Sequence, residues 1–370
     1  MTYAASWSSV SQDGAARAGT LELTHGTVET PAFMPVGTRA SVRALDVHDL
    51  ERVGSQMVLA NTYHLMLRPG AERVAELGGL HGFMAWPGPI LTDSGGYQIL
   101  SLDPRITEEG AAFRSTYDGS AVSLTPEDAV AVQQLLGADI AMVLDVCLAL
   151  PAEKAEVRRA MELTLRWAER SLRAHYRADQ ALFGIVQGGV DPDLRRESAA
   201  ATAELGFCGF GIGGLSVGET AEERNLSLEA VFPELPEGKV RYVMGLGDAE
   251  GVLDAIARGA DLFDCVWPTR LARHGRVLTP DGDYNLRRAE FAADPAPLHA
   301  ECHCLACTTY SRAYLRHLLM TKELLVHRMI SIHNLTYTLG LLAEARRAIL
   351  DESYSRFHQG VVERRRNGGW

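Results

Sequence analysis

Leu262-Phe263-Asp264-Cys265-Val266-Trp267-Pro268-Thr269-Arg270 is the stretch whose reading decides the fold. Its apolar start has the character of a short strand buried on both faces, where hydrophobic residues run on instead of alternating. The Asp264 carboxylate stands where that strand must emerge, ahead of a proline and the cations Arg270 and Arg273. An acid in that position faces a pocket, and the guanidinium groups beside it suit an anionic partner. Earlier apolar runs end the same way, in Asn61, Asp93, Asp145 and Gln187.

Working outward, the runs Ala32–Val36, Met57–Ala60, Pro89–Thr92, Ile140–Leu144, Leu182–Val186, Gly209–Ile212, Tyr242–Met244 and Leu262–Phe263 give eight strand candidates. Helical segments such as Thr125–Leu136, Ala152–Arg177 and Asp248–Arg258 separate them. Eight βα units close a parallel barrel, whose active sites lie at the C-terminal strand ends, where these polar residues fall. The fold class is therefore α/β, a (β/α)8 TIM barrel; a doubly wound open sheet is the competing arrangement. Glycine pairs after several strands, Gly95-Gly96, Gly188-Gly189 and Gly213-Gly214, allow close backbone approach to a ligand. Residues 1–30 turn around Asp13-Gly14 and His25-Gly26 and read as a small antiparallel cap. The barrel is expected over 31–275, with a hairpin between Ile106 and Leu124 turning at Asp118-Gly119. An insertion follows over 276–333, and 334–370 hold a final helix from Asn334 to about Leu350 and a tail whose Arg364-Arg365-Arg366 reads as a solvated end.

With 370 residues, 46 % of them hydrophobic and 22 % charged, a sizeable core is available. A formal charge of −11 argues against indiscriminate nucleic-acid binding but leaves room for a local basic patch. No window reaches the roughly 18 uninterrupted apolar residues of a membrane span, so a cytoplasmic location is expected. Cys147, Cys208 and Cys265 are isolated, whereas Cys302, Cys304 and Cys307 are bunched. With His333 they offer three thiolates and an imidazole, a donor set suited to tetrahedral Zn²⁺. Four protein ligands leave no open position, so such an ion is structural. His303 and His327 compete for the fourth place.

A lone aspartate at a strand end is as readily a helix cap. Asp93, Asp145 and Asp264 together are harder to read so, because carboxylates gathered at one mouth repel unless a substrate uses them. Tyr97 and Met244, just beyond strand ends, could present flat or soft faces to a ring, and core packing is the plainer role for Met244.

Together these residues resemble the tRNA-guanine transglycosylase family, which exchanges guanine in tRNA for a deazaguanine. The likeness spans roughly Pro31 to Phe357. It is carried by Thr92-Asp93-Ser94-Gly95-Gly96-Tyr97-Gln98, Ile185-Val186-Gln187-Gly188-Gly189, Gly213 to Glu219, Phe263-Asp264-Cys265-Val266, Pro268-Thr269-Arg270 and the cysteine cluster. The resemblance implies a (β/α)8 barrel with a zinc subdomain. It implies Asp264 as nucleophile at ribose C1′, Asp93 as general acid/base, and Asp145, Gln187 and the Gly214 amide as base readers. Tyr97 and Met244 would sandwich the ring, and Arg270 and Arg273 would grip neighbouring nucleotides. The substrates implied are guanine at wobble position 34 of GUN-anticodon tRNAs, those for aspartate, asparagine, histidine and tyrosine, and an incoming 7-aminomethyl-7-deazaguanine (preQ1). Cys147, Val217 and Glu219 match the pattern for preQ1. Val146, Trp267, Leu271-Ala272 and His274 depart from it and bear on the incoming base, for which queuine is the alternative, and on the anticodon contacts. A homodimer is implied too, for which Tyr310, Tyr314 and His317 form a candidate helical stripe.

Two other readings compete. A non-catalytic tRNA-binding partner subunit is expected to lose the nucleophile, which Asp264 retains. A zinc hydrolase needs an open metal site, which three cysteines and a histidine close.

Overall fold

The computed structural model describes residues 4–215 and 218–368. Its centre is a closed parallel barrel of eight strands. They are β1 (Ala32–Gly37), β2 (Val58–Ala60), β3 (Ile90–Thr92), β4 (Ile140–Met142), β5 (Ala181–Val186), β6 (Gly209–Ile212), β7 (Val240–Val243) and β8 (Leu262–Cys265). Each pairs with its neighbours in chain order, and β8 closes against β1 with Leu262 opposite Ala32 and Asp264 opposite Met34. The eight apolar runs are these strands, and closure excludes the open doubly wound sheet. The strands are buried almost throughout, which is why their sequences do not alternate.

Local chemistry starts the surrounding helices. Thr125 and Asp128 form a capping box at helix Pro126–Leu136, and Thr220 and Glu223 form another at Ala221–Val231. Asp191 and Asp248 cap Pro192–Glu204 and Ala249–Ala257. The inserted hairpin gains a third short strand, giving an antiparallel sheet of Arg105–Ile106, Ala111–Arg114 and Ala121–Leu124.

The cap is a three-stranded antiparallel sheet, Ala5–Asp13, Ala16–Leu23 and Gly26–Thr30. Two buried carboxylates fasten it to the strand starts. Asp261, just before β8, pairs with Arg17 and accepts the Arg241 amide at 2.8 Å. Arg17 also donates to the Glu237 and Lys239 carbonyls at 2.9 and 2.8 Å. Asp139, just before β4, accepts from the His25 amide and ring, the Ile90 amide and the His81 ring, at 2.8 to 3.1 Å.

The C-terminal region departs from the sequence reading in three places. The final helix begins at Leu324, ahead of Asn334, and runs to Leu350. Its first turns are rich in β-branched residues, and burial of Val326, Ile330 and Ile332 overrides their modest helix propensity. The arginine tail is the last turn of a helix, Tyr354–Asn367, with Arg364 and Arg366 exposed as expected of a solvated end but Arg365 partly buried. Arg364 bonds Asp281 at 2.6 Å, and Arg365 bonds the Thr279 carbonyl, Tyr337 and Asp283 at 2.7 to 2.9 Å. Tyr310 lies outside any helix, between Leu305–Thr309 and Arg312–Met320, and stacks on Tyr314 with centroids 5.2 Å apart. Tyr314 and His317 are exposed on the second helix, so the predicted stripe is broken at its first member. None of the described helices is long and apolar enough to cross a membrane.

Removing Arg17 leaves Asp261 charged and buried without its partner. Arg17→Ala is expected to cost about 3–5 kcal/mol, read as a lowered urea midpoint; an unchanged midpoint would show that the cap carries no such load.

Candidate functional site

Strand register assembles the mouth. Ala60 of β2 pairs with Thr92 of β3, so the next residues, Asn61 and Asp93, stand side by side. Val186 pairs with Ile212, which sets Gln187 beside Gly213, and Val243 pairs with Phe263, which sets Met244 beside Asp264. The polar residues read from the sequence at strand ends thus gather at one end of the barrel.

Asp93 accepts from Asn61 Nδ2 at 2.6 Å on one oxygen, and from the Thr62 and Gly95 amides at 3.0 and 3.1 Å on the other. Burial disfavours the charged form more strongly than these donors favour it, and Asp264 adds repulsion, so the Asp93 carboxyl is pushed up to about 7. Asp264 is also raised by burial, against two donors that favour its charged form. The Tyr242 hydroxyl donates to Oδ1 at 2.6 Å and the Gly245 amide at 2.7 Å. Among the described residues nothing bonds Oδ2, which leaves one carboxylate oxygen free for chemistry.

Asp145 is buried between β4 and the loop after β3. Gln187 Nε2 donates to one oxygen at 2.6 Å and the Ser94 hydroxyl to the other at 3.3 Å. Burial raises its pKa, and those bonds oppose the shift. The amide of Gln187 also explains the glycine pair. A Cβ on Gly213 would stand 2.8 Å from Gln187 Nε2, and one on Gly214, at φ +64°, would stand 2.4 Å from Oε1. The Gly214 amide bonds towards the Cys147 thiol, whose pKa burial pushes up to about 12. Tyr97, in the short helix Gly96–Leu100, is 61 % exposed, while Met244 is half-buried against the core. Arg270 and Arg273 occupy helix Trp267–Arg273 directly after β8. Burial, then Arg43 and Arg270 nearby, holds Arg273 below its usual pKa. Ser216 and Val217 lie outside the described residues, so the Val217 match stays a sequence observation.

Sequence reasoning missed Arg195 and Tyr242. Fully buried Arg195 donates to the carbonyls of Val186, Gly189, Gly213 and Gly214 at 2.7 to 3.2 Å, tying the loops after β5 and β6. Nothing in its helix marks it out. Tyr242 did leave a signal, since a phenol inside an apolar run needs a partner for its hydroxyl.

Cys302, Cys304, Cys307 and His333 converge with their donor atoms all within 4.8 Å of one another, so the fourth place goes to His333 and not to His303 or His327. His333 Nδ1 lies 3.3 Å from Cys307 Sγ and 3.7 Å from Cys304 Sγ. Tetrahedral bonds of normal length put ligands roughly 3.5 Å apart. The other ring nitrogen, Nε2, donates to the Leu278 carbonyl at 2.9 Å, which fixes the tautomer that leaves Nδ1 for a metal. The residues therefore fit a tetrahedral ion. A cavity of about 880 Å³ beside this group, lined by Val53, Leu341, Phe357 and Val361 among others, contains none of the three mouth carboxylates.

Comparison with known proteins agrees with this geometry. The family model described as Queuine tRNA-ribosyltransferase matches residues 12–367. A protein named queuine tRNA-ribosyltransferase from Herpetosiphon aurantiacus is 53 % identical over 95 % of this chain and 90 % of its own length. Proteins of the same name from Thermus thermophilus and Thioalkalivibrio sulfidiphilus are 50 % and 49 % identical, over 95 % of this chain and 92 % and 98 % of their own lengths.

His333→Ala should lower bound divalent metal from one equivalent per chain to near zero and reduce the melting temperature. Elemental analysis with thermal unfolding checks this; full metal content in the variant would move the ligand set elsewhere.

Proposed function

The chain belongs to the queuine tRNA-ribosyltransferase family, transferases that act in tRNA modification, and from that premise we propose a specific reaction and residue roles. The enzyme exchanges guanine at position 34 of GUN-anticodon tRNAs for preQ1, by double displacement through an Asp264–ribose intermediate. The observation that carries this reading is the inequality of two carboxylates at one mouth. Asp264 is bonded on one oxygen and free on the other, while Asp93 is poised near neutral pH.

In the first step Asp264 Oδ2 attacks C1′ of the ribose as the glycosidic bond breaks, and Asp93 hands a proton to the departing guanine. In the second step Asp93 takes a proton from the incoming base, whose nitrogen displaces Asp264 from C1′. Two inversions give retention, as in a retaining glycosidase. Asp145 suits the guanine edge because a carboxylate accepts two N–H donors at once, and Gln187 and the Gly214 amide supply complementary groups. Tyr97 and Met244 flank the ring. The target base leaves the stack of a mostly single-stranded loop to enter, with Arg270 and Arg273 holding neighbouring nucleotides. The metal is zinc in this reading, held by Cys302, Cys304, Cys307 and His333 as a structural clip with no role at the reacting atoms. The enzyme works as a cytoplasmic homodimer.

The choice of preQ1 over queuine rests on the sequence matches at Cys147, Val217 and Glu219. Competition between the two bases for one tRNA checks it, and displacement of preQ1 by queuine at lower concentration would reverse the assignment.

Labelled guanine exchange into tRNA is expected for the wild type and absent in Asp264→Asn, with the covalent RNA adduct lost at unchanged fold. Tyr242→Phe should lower kcat about tenfold or more, since a bond to a charged group is removed. Exchange by Asp264→Asn would remove the nucleophile role, and exchange by neither protein despite tight tRNA binding would favour the non-catalytic subunit.

Asn61→Ser keeps a helix-capping oxygen but shortens the donor to Asp93. Losing a donor to the charged form raises the Asp93 pKa further. The descending limb of kcat/KM, expected near pH 7 in the wild type, should therefore move to higher pH; a limb that stays or moves lower would separate it from Asp93.

A further inference from the structure

We propose that Arg39 and Arg68, gathered over the ring of Tyr117, form a second tRNA-binding site that holds backbone phosphates of the strand entering the mouth. The inference rests on the transglycosylase reading and adds to it a site on the rim between Arg270 and Arg273, after β8, and Asp93, after β3.

Position is the first argument. Arg39 follows β1, Arg68 caps the helix Thr62–Leu67 after β2, and Tyr117 lies in the hairpin inserted after β3. All three segments leave the same end of the barrel that carries the carboxylates. Because β1 adjoins β8, these cations continue the arc begun by Arg270 and Arg273, with Arg43 near enough to Arg273 to affect its charge.

Charge is the second. The guanidinium carbons of Arg39 and Arg68 lie 5.4 and 4.8 Å from the Tyr117 ring centre. Two cations over one ring repel each other, and the ring's electrons offset only part of that. Neither arginine forms a salt bridge among the described residues, although arginines elsewhere do so in number, as at Arg158, Arg166, Arg170 and Arg177. Asp118, whose pKa is lowered first by its bond from Ser120 and also by nearby Arg68, forms no salt bridge with either arginine among the described residues. Two exposed guanidiniums so placed match the phosphodiester chemistry of a single strand.

Rigidity is the third. The Tyr117 hydroxyl bonds His64 Nδ1 at 3.0 Å, and the Tyr63 hydroxyl bonds the Thr116 hydroxyl and amide at 2.9 and 3.2 Å. The His64 amide in turn donates to Asn61, the residue that donates to Asp93. A phosphate held here is thus anchored to the turn that positions Asp93. Burial, then Arg39, keeps His64 below its usual pKa, so the positive charge of the cluster comes from the arginines.

The test uses full-length Arg39→Gln/Arg68→Gln, with Arg39→Lys as the charge-conserving control. The slope of log Kd for tRNA against log salt should fall in magnitude by roughly 0.7 for each phosphate that is no longer neutralised, with the KM for tRNA up about tenfold. kcat and the KM for guanine should hold, and Arg39→Lys should keep the wild-type slope. A folded double variant with unchanged salt slope and KM for tRNA would overturn the site, as would a lower melting temperature as the sole effect. Wild-type protein that binds tRNA but exchanges no guanine would remove the transglycosylase reading and leave the salt-slope comparison decisive for the phosphate site.

Discussion

Holding three carboxylates at one barrel mouth is the constraint to which the surrounding structure answers. Burial raises the pKa of each, and Asp264 adds repulsion at Asp93. Each meets a different set of donors. Asp93 has a side-chain amide and two backbone amides, Asp264 a phenol and one amide, and Asp145 a glutamine and a serine. Those donors are in turn fixed by strand register and by Arg195, whose guanidinium holds the carbonyls on either side of Gln187. The three groups can therefore differ in charge although they share a mouth.

The metal group reaches this mouth through backbone. His333 bonds the Leu278 carbonyl, and its neighbour Asn334 accepts the Leu278 amide at 3.0 Å. Asn334 also donates to the carbonyls of Pro268 and Arg276 at 3.0 and 3.1 Å. Pro268 belongs to the helix that follows Asp264, so ordering His333 orders the segment bearing Arg270 and Arg273. A closed four-ligand site can serve the mouth in this way without any open position of its own.

Much of this was legible in the sequence because barrel geometry is local. Five of the eight apolar runs end in a polar residue, Asn61, Asp93, Asp145, Gln187 or Asp264, and counting the runs and reading their ends gives both the barrel and its candidate site. The cysteine spacing was as direct, although choosing His333 over His303 and His327 needed the fold. What the sequence hid were partners far apart in the chain. Arg17 and Asp261, or Arg195 and the loop after β6, have no pattern that joins them. The ion pairs of the arginine tail were hidden for the same reason, since its acidic partners Asp281 and Asp283 lie in a distant loop. Helix boundaries failed where burial outweighed propensity, as at Leu324.

A net charge of −11 looks unsuited to RNA until its distribution is considered. Charges separated by more than a Debye length, about 10 Å at 0.1 M salt, hardly feel each other at the surface. Many surface carboxylates are also paired at home, as Glu108 is with Arg166, Glu127 with Arg170 and Asp179 with Arg177. Such pairs project little field. Around the mouth the balance reverses: Arg39, Arg43, Arg68, Arg270 and Arg273 form no salt bridge among the described residues. In the proposed reading an anionic strand is drawn to this rim, while the carboxylates inside discourage phosphate from entering and leave the opening to a base. The acidic total and the basic rim thus act on different parts of the same substrate.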